Sequence, residues 1–394
     1  MSAISEEAHS ARVSFFNDPR TRSIVAQVLF IALLVWAGYA IVSNTATNLA
    51  RLNKTIDFGF LGTTAGFDII QTTIDYTRES SYGRAILAGF LNTLMVAGLG
   101  IFFATILGFI VGVMRLSPNW VISKIGTLYV ELVRNIPLLL QIFFWYAAVL
   151  KPLPGPKQAI NLLDMIFISN RGVMVPKPVW EQGAGATGIA FLAGCVATFF
   201  VVRWAKRRQE ATGEQFPSFL ASLGLILGLP LAVLIVTGFP VTFDYPELKG
   251  FNFIGGVTMI PEFMALLLAL SIYTASFIAE IVRAGILAVS HGQTEAASAL
   301  GLRAQPTLRL VVIPQALRVI IPPLTSQYLN LTKNSSLAVA IAYPDLVAMG
   351  GTVLNQSGHA VEVFLIWMVV YLSVSLITSA LMNWYNARVR LVER

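Results

Sequence analysis

The sequence predicts an all-α protein that crosses a membrane about eight times. Three observations carry that expectation. Only 12% of the 394 residues are charged, 56% are hydrophobic, and the mean hydropathy is +0.72. A soluble domain carries about 25% charged residues, so the chain has too little polar surface to cover a water-soluble globule. The apolar residues also fall into runs near the roughly 20 residues that a helix needs to cross a ~30 Å hydrocarbon layer. Finally, Lys and Arg flank these runs and form no single stripe with aromatics. The formal net charge of +7 therefore reads as membrane topology, not nucleic-acid binding.

The expected spans are Ile24–Val42, Ala85–Met114, Leu128–Leu150, Gly185–Val202, Phe219–Gly238, Phe263–Val282, Leu317–Ala342 and Glu362–Met382. The first exceeds the ~7–15-residue core of a signal peptide and no small-residue cleavage site follows, so it is expected to be retained. Orientation follows from the basic residues. With both termini cytoplasmic, the inner segments hold Arg12, Arg20 and Arg22; Arg115 and Lys124; Arg203, Lys206, Arg207 and Arg208; Arg283, Arg303 and Arg309; and Arg388, Arg390 and Arg394. The outer segments are longer and hold fewer. Two of them are sizeable: Ser43–Arg84, with Gly59, Gly62 and Gly66, and Lys151–Ala184, with Pro152, Pro154, Pro156, Pro176 and Pro178. Both are expected to be irregular or short-helix caps. Gly108-x3-Gly112 and Gly224-x3-Gly228 suit close helix packing or a dimer seam, and Trp36, Trp145, Trp180, Trp204 and Trp384 sit near span ends as interface anchors.

The segment Gly292–Pro314 separates two membrane-length runs and cannot lie in lipid. Glu295-Ala296-Ala297 opens a helix that Thr294 or Gln293 can cap, with Glu295 near the positive end of its dipole. Ala296 and Ala297 keep one face small. Gly301 fits a left-handed helix end, and Pro306 fits the first turn of a second short helix, Thr307–Val312. Val311-x-Ile313-Pro314 closes the segment. Helix, glycine turn and helix make a stiff knob.

These residues resemble the EAA loop of the membrane subunits of ATP-binding-cassette importers. The resemblance widens through Asn92-Thr93-Leu94, Tyr129–Gln141, Tyr273–Arg283, Pro314-Gln315-Ala316-Leu317-Arg318 and Lys333–Leu337. Together they look like the polar-amino-acid permeases of the histidine, glutamine and arginine type. The extra helices and outer loops are similar to the larger permease subunits of general L-amino acid systems. Residues 1–84 then hold the N-terminus, first span and an outer loop, 85–385 the permease domain, and 386–394 a cytoplasmic tail. The five-helix core would occupy 85–150 and 260–385, with a two-helix insertion over about 151–259. The resemblance implies a multi-pass protein of a bacterial inner membrane that moves polar L-amino acids by alternating access. It also implies a dimeric ATP-binding subunit gripping the knob, a second homologous permease subunit and a periplasmic amino-acid-binding protein.

Charges within the spans need a partner or a role, since each costs on the order of 3 kcal/mol at mid-bilayer. Lys333 lies near the middle of the seventh span, within Thr332-Lys333-Asn334-Ser335-Ser336. One reading places Lys333, Asn334, Ser335 and Ser336 on a polar substrate path; the other pairs Lys333 with Glu280 or Glu362 or lets it snorkel. Glu131 with Arg134, and Glu280 with Arg283, are each three apart and can meet on one helix face. A packing pair and a gate are both open for them.

Nothing in the sequence points to catalysis, and no cofactor is expected on this chain. The single cysteine, Cys195, excludes an internal disulfide. His9, His291 and His359 are too scattered for a metal site, and no GxxxxGK[ST] phosphate loop occurs. An ion-coupled secondary amino acid transporter is the alternative function. It would leave the knob without a purpose and would require broken helices in both halves. A membrane scaffold would leave the polar run at Lys333 unexplained.

Overall fold

The computed structural model describes residues 19–51, 56–181 and 184–389. Arg12, Lys54, Arg390 and Arg394, and the side chains of Arg20 and Arg388, lie outside what is described. Among the described residues, seven helices are long and apolar enough to cross a membrane, and a bent helix pair makes an eighth if it is counted as one span. In chain order the first helices are α1 (Pro19–Arg51), α2 (Tyr82–Met114), α3 (Trp120–Asn135) and α4 (Leu138–Phe143). A π-helical run, Phe144–Leu150, extends α4.

The expected third span, Leu128–Leu150, is not one rod. The chain bends by 104° between α3 and the helical run Leu138–Leu150. Pro137 explains the break, because its ring disfavours helical backbone at the residue before it. Ile136 is accordingly extended (φ −98°, ψ 125°). Gln141 braces the corner, its Nε2 donating to the carbonyls of Val133 and Ile136 at 2.9 Å each.

The molecule is mostly helical, as the sequence predicts, but the segment after Lys151 corrects the expectation of an irregular or short-helix cap. It forms β1 (Ile160–Leu162), β2 (Ile166–Ser169), β3 (Gly172–Val175) and β4 (Lys177–Trp180). The helices α5 (Ala184–Thr212), α6 (Ser218–Leu223) and α7 (Leu229–Val236) follow, then β5 (Val241–Asp244), β6 (Glu247–Lys249), β7 (Asn252–Ile254) and β8 (Val257–Met259). A π-helical turn at Gly224–Gly228 joins α6 to α7. Strands β1, β2, β3 and β8 make one antiparallel sheet, with Met174 opposite Thr258. Strand β4 pairs with β5, Trp180 opposite Val241, so the two ends of the α5–α7 hairpin are held together. The prolines pointed to irregular backbone, but the β-branched and aromatic residues between them pair well. Pro178 is tolerated on a two-stranded ladder. Gly172, at φ +121°, sits where an added Cβ would meet the Met259 carbonyl oxygen at 2.1 Å, so no side chain fits.

The last third contains α8 (Pro261–Leu287), α9 (His291–Ala299), α10 (Ala304–Thr307), α11 (Ile313–Asn334), α12 (Leu346–Ser357) and α13 (Ala360–Val389). The core forms where α2 crosses α8. Gly108 and Gly112 allow this: a Cβ on either would stand 2.6 Å from Ile278 Cβ or 2.7 Å from Val282 Cβ. The first small-residue motif is therefore a contact inside the chain. The second, Gly224 and Gly228, has open space around both. Leu266, Leu270, Ile278, Ile320 and Leu331 fill the rest of this core. No residue in the apolar window of α1 is buried.

Asp345, between the seventh and eighth spans and outside both, caps α12 by accepting from Ala348 N–H at 2.8 Å. Full burial pushes its carboxyl up to about 7, against the pull of the Ala348 and Val347 backbone N–H groups. Because α8 is 27 residues, about 40 Å, long, its two ends mark opposite ends of the bundle. The sheet lies at the Pro261 end, and the knob segment leaves from the Leu287 end.

Candidate functional site

The knob begins one turn earlier than expected. Ser290 has extended backbone, and its carbonyl accepts from Gln293 N–H at 3.0 Å, which opens α9 at His291. The expected caps Gln293 and Thr294 therefore lie inside the helix. His291 Nδ1 and Glu295 Oε1 are 2.9 Å apart on the exposed face. The helix closes in a Schellman arrangement: Gly301 N–H donates to Ser298 O at 2.9 Å and Leu302 N–H to Ala297 O at 3.1 Å. Gly301 has φ +77°, the left-handed value its position requires.

Beyond the turn, the second helix does not stop at Val312. The short α10 passes through a π-helical run, Leu308–Val312, straight into α11. Pro314 lacks an N–H and its ring crowds the carbonyl four residues back. The wider π turn just before it accommodates both demands while the helix continues. Gln315 Nε2 donates to Gln293 Oε1 at 3.1 Å and ties α9 to this rod.

Ala297 is 4% exposed and packs inward, while Glu295, Ala296, Gly301 and Ile313 are exposed and Val311 and Pro314 half-buried. Three leucines also face outward: Leu300 at 82% exposure, Leu310 at 65% and Leu308 at 49%. Sequence reasoning missed them, although Leu300 and Leu302 flank Gly301 in an otherwise polar stretch. A small-residue face beside uncovered leucines, on a knob braced at both ends, can bury itself in another protein's groove.

The polar run in the seventh span divides. Lys333 is the penultimate residue of α11, where the helix gives way to a 3-10 turn, Ser335–Ile341. Ser335 turns inward, fully buried, and its Oγ donates to Thr332 O at 2.7 Å; Ser336 Oγ donates to Lys333 O at 2.7 Å. These two bonds stabilise the change of helix type. Lys333 is exposed and Asn334 half-buried. Lys333 forms no ion pair with Glu280 or Glu362 among the described residues. Glu362 is buried and accepts instead from Asp57 N–H at 3.1 Å.

The helix-end pairs are also rearranged. Glu280 lies 3.5 Å from Arg283, as expected, but also 2.5 Å from Arg115 and 3.7 Å from Arg134. Arg134 turns to Glu280 and the Phe277 ring, 4.9 Å away, and makes no pair with the exposed Glu131. Across helices the carboxylate of α8 meets cations from α2 and α3, which outcompete the local i,i+3 geometry. Arg115 follows α2 as its C-cap, a position sequence reasoning assigned only to topology.

The profile of the family described as the binding-protein-dependent transport system inner membrane component matches residues 104–391. The general L-amino acid transport system permease protein AapQ of Rhizobium johnstonii is 56% identical over 381 residues, 97% of this chain and 95% of that protein. The putative amino-acid ABC transporter permease protein YhdX of Escherichia coli is 50% identical over 96% of this chain and 97% of its own length. Among solved structures, a chain from an amino acid ABC transporter crystallised with histidines is 20% identical, with TM-score 0.47, over 78% of this chain and 95% of that one. The sequence profile and these long, strong identities place ATP hydrolysis on a separate subunit and substrate delivery on a binding protein: this chain belongs to the family of binding-protein-dependent transport system inner membrane components.

Proposed function

We propose that this chain forms half of the translocation path for polar L-amino acids, beside a second homologous permease subunit. The observation that carries the proposal is the braced knob of α9 and α10 with its uncovered Leu300. One chain supplies one such knob, and a dimeric ATPase presents two grooves, so a second permease subunit completes the match. The amino-acid permeases that this chain resembles support the substrate class. The basic residues near the knob end support placing that end, and both termini, in the cytoplasm of a bacterial cell. Family membership leaves the ion-coupled alternative without support.

In this reading ATP binding closes the ATPase dimer, its grooves move the knobs, and the rods that continue them into α11 reorient the path. Glu295, Ala296, Ala297, Gly301, Val311, Ile313 and Pro314 form the coupling element. The exposed Lys333 and the half-buried Asn334 line the path, where a lysine offers a charge partner for a substrate carboxylate. Ser335 and Ser336 shape the turn behind them. The test is reconstitution of permease, ATPase and binding protein in liposomes, with uptake measured across a panel of labelled L-amino acids. Uptake that needs ATP and binding protein, and falls at least tenfold in Lys333→Ala with ATP hydrolysis retained, is the expected result. Uptake that persists without ATP and collapses with an uncoupler would refute the proposal.

A further inference from the structure

At the Pro261 end of the bundle a cleft of about 410 Å³ opens between the two long connecting segments that the sequence set apart. Ile70 comes from the first segment, Asn170 and Arg171 from the turn between β2 and β3, Asn252 from β7 and Thr258 from β8. The floor is Ile260 and Pro261, both buried. Unlike the apolar grooves elsewhere on the surface, this cleft carries charges of both signs. Lys151 and Arg171 supply two cations and Glu262 one carboxylate.

These charges are held but only partly satisfied. Glu262, at the first turn of α8, is largely buried and its Oε1 accepts from the Tyr146 hydroxyl at 2.8 Å. Lys151 is only 3.9 Å from the same oxygen, a loose approach, and rests over the Tyr146 ring at 5.0 Å. The Arg171 guanidinium has no ion-pair partner among the described residues, although the turn that presents it is fixed by Arg171 N–H donating to Ser169 Oγ at 3.2 Å. A fixed turn therefore presents a planar, bidentate donor to a polar cleft that an anchored carboxylate also lines.

We propose that this cleft is a reception subsite for the zwitterionic main-chain groups of an α-amino acid, on the path into the permease. Arg171 takes the α-carboxylate through its fork, Lys151 adds charge to the same end, and Glu262 takes the α-ammonium. Recognition through groups common to all α-amino acids leaves the substrate side chain free, so the subsite admits many of them. This rests on the amino-acid reading given above, and its position requires the Pro261 end to face the binding protein.

The test uses the full complex with its binding protein in liposomes, with labelled L-glutamate and L-glutamine as probes and with uptake and ATP hydrolysis measured together. Arg171→Ala and Glu262→Gln are each expected to lower the amount imported per ATP hydrolysed about tenfold. Arg171→Lys, which keeps the charge and loses the fork, is expected to fall between. The binding-protein concentration that half-saturates ATP hydrolysis is expected to stay the same. Arg171 lies exposed on a turn, so its replacement leaves the fold intact even where the Glu262 variant does not. Unchanged import per ATP in Arg171→Ala overturns the subsite. So does a raised half-saturating concentration with import per ATP preserved, which would make the cleft a docking surface for the binding protein. A wild-type complex that hydrolyses ATP yet imports neither probe overturns the amino-acid reading itself.

Discussion

Leu300 offers the sharpest test of the coupling knob. Its side chain is 82% exposed at the end of α9, beside the glycine turn. Burying a leucine fully stabilises by about 1.5–3 kcal/mol, or ~0.8 kcal/mol per buried CH₂. Leu300→Ala deletes three carbons, so if docking covers the exposed part the variant loses roughly 2 kcal/mol per knob. At 1.4 kcal/mol per factor of ten, affinity for the ATPase should fall roughly 25-fold. The assay is titration of labelled ATPase subunit onto permease held in lipid nanodiscs, in the absence of nucleotide turnover. Because Leu300 touches little within its own chain, the thermal unfolding midpoint of the isolated permease should stay within about 1 °C, the range expected of an exposed substitution. An ATPase affinity within twofold of wild type would refute the claim that this face is the docking surface.

Glu280→Gln leaves the cations of Arg115, Arg134 and Arg283 without their shared carboxylate. With Glu280 about a third exposed, the expected cost is about 1–2 kcal/mol, less than for a fully buried pair, read as a lower unfolding midpoint in detergent; an unchanged midpoint would make the cluster energetically idle. Gly108→Ala should weaken the α2–α8 crossing by about 1–3 kcal/mol, because the new carbon would lie 2.6 Å from Ile278 Cβ, whereas Gly98→Ala, with nothing within 4 Å, should be neutral; equal behaviour would contradict the packing. Asp345 predicts a pH effect. Its carboxyl titrates near 7 in the fold and in the ordinary carboxylate range when unfolded, so rising pH ionises the unfolded chain first and stability declines between about pH 4 and 7. Asp345→Asn should remove that slope from midpoints measured across pH 4.5–8, and a slope that survives would refute the assignment.

The spans were legible because lipid demands long apolar runs, and the knob because its residues sit at fixed spacing. The break at Ile136-Pro137 was written in the sequence too, but a composition window counts proline as merely weakly polar and ignores what its ring does to the residue before it. The sheet was hidden for a related reason. Proline-rich spacing suggested irregular backbone, and strand pairing across 81 intervening residues, as between Val175 and Val257, leaves no local trace. Glu131 and Arg134 show the same limit at one site. Their spacing permits a bond within the helix, yet Arg134 turns to a carboxylate 146 positions further along the chain, Glu280. The sequence drew attention to Lys333 through its polar neighbours, but only the geometry shows that Ser335 and Ser336 serve the helix transition while the lysine stays uncovered.

The ladder between Lys177–Trp180 and Val241–Asp244 has a practical corollary. It works like the neck of a drawstring bag: the polypeptide leaves and returns through one gathered opening. The helices between 184 and 236 pack mainly on one another, so replacing them with a tight glycine turn is expected to leave the ladder and the remaining rods in place. Conversely, a fluorescent or affinity module spliced at that neck would ride on the permease without straining it, giving a natural handle for single-molecule work.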